Sequence, residues 1–183
     1  MKKPLVGIIV ASKIKKIENI IGIVSIESII KQIAEILAEL EFNILIIPEK
    51  NSGSLLLANF FKNARKNKKA KVFCLVPKAD KEFGIKHLNP EIGDKIILSA
   101  NWRSIAADLV AESSFLLCLS YSAGCLVELC QSKYWKKKVL VIRELVSKTL
   151  PKEAEQQLSL KYISLRELKP ILELVKRYGV RKL

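Results

Sequence analysis

A single histidine, His87, stands in the chain, in a stretch of mixed polarity, and this argues against a triad or a metal role for it. No carboxylate or histidine cluster shows metal-ligand spacing. The four cysteines, Cys74, Cys118, Cys125 and Cys130, sit within apolar runs and form neither a zinc motif nor a secreted disulfide framework. They read as packing residues of a protein kept in a reducing cytoplasm. Glycine and proline number only 7 and 6, which excludes collagen-like and low-complexity chains, and a hydrophobic content of 50% excludes a disordered one. The apolar run at 5–11 is too brief for a signal peptide and lacks a cleavage site. No stretch reaches the roughly 18 to 20 apolar residues that a membrane-spanning helix needs, so no membrane partner is expected. Neither glycine-rich phosphate motif is present: Ala11-Ser12-Lys13 follows the first apolar run, and no Walker loop exists.

Basic side chains are abundant. The 32 lysines and arginines against 18 acidic residues give a formal charge of +14, which favours phosphate-bearing partners. They gather in three runs, at Lys13, Lys15 and Lys16, from Lys62 to Lys71, and at Lys136 to Lys138. None is interleaved with aromatics as stacking platforms are, so solvated helix ends are the favoured reading and nucleic-acid binding a lesser alternative.

At 183 residues, one domain spanning 1–183 is expected. Short apolar runs at 5–10, 43–47, 71–76, 95–98, 115–119 and 139–142 read as strands buried on both faces. Between them lie helical patterns. Ile26, Ile29, Ile30, Ile33, Ile36, Leu37 and Leu40 recur at spacings of three and four behind a Ser25 cap. Further helices are expected at 55–67, 102–112, 124–134 and 165–178, the last with a Ser164/Glu167 capping box and a Gly179 stop. Pro170 should kink that helix or mark its true start. Alternation of this kind predicts an α/β fold: a doubly wound parallel sheet in a Rossmann-like three-layer sandwich. Ligands then bind beyond the carboxyl ends of the strands, near the topological switch. The loops there include a long basic one at 12–24 and one of mixed polarity at 77–94, with Gly84, Pro90 and Gly93.

The most informative stretch is 101–129. Arg103 opens a helix, a buried strand follows, and Ser120-Tyr121-Ser122-Ala123-Gly124-Cys125 turns into a second helix bearing Glu128. Small residues there let backbone approach an anion. The Gly124 and Cys125 amides, with the hydroxyls of Ser120, Tyr121 and Ser122, would make a polar nest.

This order of features resembles the SLOG superfamily, which includes the LOG phosphoribohydrolases, also called lysine decarboxylase-like proteins, and the molybdenum cofactor carriers. Gly53-Ser54-Leu55-Leu56 through Val76-Pro77 looks like the family's glycine-led helix and following strand. Asn101-Trp102-Arg103 looks like its arginine-bearing helix start, and 120–128 like its glycine-rich loop and glutamate. The phosphate loop is degenerate: Tyr121 and Ser122 replace paired glycines, Cys125 a threonine, and Val127 a second acid. The resemblance, over 3–142, implies a nucleotide or pterin-type phosphorylated ligand held at Ala11, Ser12, Gly53, Ser54, Ser120, Tyr121, Ser122, Gly124 and Cys125. It also implies two alternatives to plain binding. One is hydrolysis of nucleoside 5′-monophosphates, with Arg103 on phosphate or transition-state charge and Glu128 on ribose or water; the other is a carrier of the molybdenum-cofactor type. Relatives commonly dimerise beside the site, and the apolar face of 26–40 or of 55–61 is the expected homodimer surface.

Overall fold

The computed structural model describes residues 3–14, 18, 25–78 and 87–183. Met1, Lys2, Lys15, Lys16, residues 19–24 of the basic loop and Gly84 of the 77–94 loop lie outside the described residues.

Each expected apolar run is a strand: β1 (Leu5–Ile9), β2 (Asn43–Ile46), β3 (Val72–Pro77), β4 (Lys95–Ser99), β5 (Phe115–Cys118) and β6 (Val139–Ile142). A seventh, β7 (Leu160–Ile163), was not foreseen. It is a short edge strand with Lys161 exposed and only Ile163 fully buried, so it lacks the continuous apolar run that marks the others. All strands pair in parallel in the order β4-β3-β2-β1-β5-β6-β7. The chain therefore builds outward from β1 in one direction, then returns to β1 and builds outward in the other. The switch lies between β1 and β5.

The helices are α1 (Ile26–Glu39), α2 (Gly53–Ala64), α3 (Trp102–Glu112), α4 (Ala123–Tyr134), α5 (Lys152–Glu155) and α6 (Leu165–Tyr178). On one face of the sheet α1 packs against α2 and α6, and on the other α3 packs against α4. The result is the expected three-layer α/β sandwich. The core is built from β-branched and leucine side chains of the central strands, among them Val6, Ile9, Ile44, Leu75, Leu117 and Val141, all without exposure.

Three expectations need correction. The helix expected at 55–67 begins at Gly53, because the Ser52 hydroxyl caps it by accepting from Leu55 N at 3.2 Å. It ends at Ala64, where Arg65 turns to grip Asp94 at 2.5 and 3.0 Å and fixes the entry to β3. Pro170 neither starts α6 nor ends it: the helix opens at the Ser164/Glu167 capping box and runs through Pro170 to the Gly179 stop, where φ is +82°. The faces offered for self-association are occupied within the chain. Ile26, Ile30, Ile33 and Leu37 of α1 and Leu57, Ala58 and Phe61 of α2 are buried in the core.

Candidate functional site

At the switch, the loops leaving β1 and β5 are joined by one side chain. Ser120 is buried, and its hydroxyl accepts from the Ala11 amide at 2.7 Å, while Leu119 N donates to Ile9 O at 2.8 Å. A carbonyl-terminated strand pair would leave the Ala11 amide unsatisfied; a serine placed after β5 supplies the acceptor. The Ala11 carbonyl in turn accepts from Gly53 N at 3.4 Å, so β1, β5 and α2 meet at this point. Gly53 has no room for a side chain, since a Cβ there would lie 2.5 Å from Val10 Cγ2. Ser54 donates to Ile47 O at 2.6 Å. Ala11, Gly53, Ser54 and Ser120 thus spend their polar groups on the scaffold.

Beyond them the loops diverge around the amino end of α4. Ser122 caps that helix, accepting from Cys125 N at 3.3 Å, so the Cys125 amide is engaged by the protein itself. The amides of Ala123 and Gly124 have no acceptor among the described residues, and both residues are exposed. A Cβ on Gly124 would meet nothing nearer than Ser122 Oγ at 3.9 Å, so packing does not require glycine there. What glycine does is keep the approach to the helix end clear, where the macrodipole favours an anion.

Tyr121 leans toward the outer strands. Its hydroxyl donates to Tyr162 Oη on β7 at 3.0 Å, and Tyr162 Oη accepts from Leu150 N at 3.0 Å. Burial, with Tyr162 beside it, pushes the Tyr121 phenol far up and keeps it protonated. The thiols of Cys118 and Cys125 are also pushed up by burial. Cys118 donates to Ser120 O at 3.3 Å, and Cys125 receives Ser122 Oγ at 3.1 Å. Helix-end activation of Cys125 is therefore outweighed by desolvation.

Glu128 lies one and a half turns into α4. It is 9% exposed, and its carboxyl makes no hydrogen bond or ion pair among the described residues. Burial first, and then the neighbouring Glu49 carboxylate, raise its pKa from 4.5 to about 8. Arg103, the other half of the expected pair, is exposed on the first turn of α3 and makes no contact with that carboxyl. Glu49 was not anticipated. It follows Pro48 directly after β2, carries no motif, and reaches the site only because β2 flanks β1. Its carboxylate accepts a short hydrogen bond from the Ser12 hydroxyl. Beside this pair a cleft of about 830 Å³ opens toward α1 and α2, lined by Ser12, Lys13, Glu18, Lys50, Ser52 and Asn59 among others. Among the described residues, no group of three or more potential ligands could hold a metal ion. No described helix is long and apolar enough to cross a membrane.

Several solved structures share this architecture. The chain aligns with the molybdenum cofactor binding protein of the phototrophic bacterium Rippkaea orientalis at a TM-score of 0.69 and 12% identity, over 96% of this chain and 98% of that one. It aligns with the molybdenum cofactor carrier protein of Chlamydomonas reinhardtii at 0.63 and 12%, over 95% and 98%. A structural-genomics target protein matches at 0.64 and 15%, over 94% and 99%. At such identities the likeness is one of fold. No protein-family model and no curated protein matches the sequence.

Proposed function

We propose that the protein binds, and carries without converting, a small phosphorylated ligand of nucleotide or pterin type. Its phosphate would sit on the Ala123 and Gly124 amides and the rest of the molecule along Glu128, Glu49 and Ser12. The observation that carries this is the amino end of α4: its first two amides are open, and behind them Glu128, 9% exposed, makes no hydrogen bond or ion pair among the described residues. Open amides at a helix end and a carboxyl with hydrogen-bonding capacity to spare leave both for a bound molecule. The fold shared with two proteins described as molybdenum cofactor binders or carriers supports the same ligand class.

Gly124→Ala is the direct test. The fold accepts a methyl there, yet the methyl enters the space reserved for phosphate, so affinity for a nucleoside monophosphate, measured by calorimetry, should drop about tenfold or more while the melting temperature holds. Affinity equal to wild type would remove phosphate from this helix end. A homodimer would pack through α4, whose Val127 and Tyr134 are exposed by 52% and 77%.

A further inference from the structure

The two edges of the sheet are not protected alike. β7 carries the exposed Lys161, and Arg143 donates to the Tyr162 carbonyl at 3.2 Å, so a charge and a long side chain stand against further pairing there. β4, at the opposite edge, runs Lys95-Ile96-Ile97-Leu98-Ser99 and has no charge after its first residue. The Ser99 hydroxyl meets Ser104 and Asp108 of α3 at 2.8 and 2.5 Å, so residues 95, 97 and 99 lie on the α3 face and 96 and 98 on the other. On that other face Ile96 is 55% exposed and Leu98 57%, whereas their neighbours on β3, Cys74 and Val76, are buried. The covering layer stops at β3.

The backbone is open along the same two residues. Lys78 N donates to Ser99 O at 2.8 Å, so in the parallel ladder residues 95, 97 and 99 turn their amides and carbonyls inward to β3. Those of Ile96 and Leu98 point outward, with no partner among the described residues.

We propose that β4 pairs antiparallel with the β4 of a second copy, about a two-fold axis at Ile97, in a contact that shares no residue with α4. In that register Ile96 lies opposite the partner's Leu98 and exchanges both backbone hydrogen bonds with it, and the symmetry repeats the exchange. The four aliphatic side chains then close over one another on a single face. Lys95 falls opposite the partner's Ser99, which leaves the two lysines about 14 Å apart and opposes no like charges. A foreign strand would have to bring this pattern; β4 supplies it to itself. Five residues a side make a small contact, so the pairing needs a higher concentration than a standard interface does.

Sedimentation of the wild type should show the mass rising toward twofold between about 10 μM and about 1 mM. Ile96→Lys and Leu98→Lys should each hold the value found at about 10 μM; both positions are exposed, so neither lysine enters the core. The contact is independent of α4, because in Val127→Glu the rise should remain. Register is read with oxidised glutathione, which is reduced to two glutathione molecules as two protein thiols close one disulfide. Exposed Cys130 is first replaced by serine. In that background Ile97→Cys should cross-link two chains, since the paired Cα atoms lie about 4.5 Å apart, and Lys95→Cys should not. A mass independent of concentration, or a rise shared equally by both lysine variants, overturns the proposal, whether or not the cysteine variants fold. Cross-linking of Lys95→Cys as readily as of Ile97→Cys overturns it as well.

Discussion

Glu128 sets how the protein responds to pH. Its carboxyl titrates near 8 in the folded chain, chiefly through burial, and at its ordinary 4.5 when unfolded. Between these values the folded state holds a proton that the unfolded state has released, so stability falls as pH rises through the window and levels off above it. In Glu128→Gln this contribution disappears. Urea unfolding at about pH 5.5 and about pH 8 should show wild type losing stability relative to the variant by as much as about 1.4 kcal/mol per pH unit. Parallel pH profiles would mean that the carboxyl is ionised and solvated. Glu128 was legible in the sequence because it lies eight residues beyond Ser120 in a motif-like stretch. Glu49 was not: a glutamate after a strand and a proline carries no local signal, and only the pairing of β2 with β1 gives it a role. Serines were the hardest to read. Ser12, Ser54, Ser120 and Ser122 look equally suited to a ligand, yet Ser54 and Ser120 are absorbed by backbone groups and only Ser12 remains exposed.

At the level of elements, periodicity located the central strands and the long helices because both signals arise from burial, and burial is what the core enforces. It failed where burial is partial. The short helix α5 has no buried residue, and β7 alternates weakly at the edge. These pieces still bear on the site, because Tyr162 of β7 receives the Tyr121 hydroxyl and holds the loop after β5. The joint between elements that matters most is Ser120. Ser120→Ala leaves the buried Ala11 amide without an acceptor and should cost about 1–3 kcal/mol in denaturant unfolding, whereas an exposed surface serine would cost almost nothing. A loss below about 0.5 kcal/mol would show that the bond contributes little to holding the two loops together.

For the molecule as a whole, the charge of +14 is less a binding surface than the sequence suggests. Lys62 and Arg65 converge on Asp94, Lys3 pairs with Glu41 at 3.0 Å, and Lys137 donates to the carbonyls of Ala111 and Ser113. Lys62 and Arg65 of the second basic run and Lys137 of the third are thus engaged within the chain, rather than solvated as the favoured reading expected. The exposed apolar side chains of α4 carry the remaining prediction: sedimentation at micromolar concentration should give twice 20.6 kDa, and Val127→Glu should return the monomer. A wild-type mass of 20.6 kDa would leave those side chains without a partner copy.

The strand order divides the sheet into two leaves, four strands laid down first and three afterwards, bound at a spine where β1 meets β5. Ser12 belongs to the earlier leaf and the amino end of α4 to the later one. A guest resting on Ser12 after β1 and on the amino end of α4 after β5 would act as a rivet across that spine, stiffening the fold along its own line of assembly and tying occupancy to the integrity of the whole molecule.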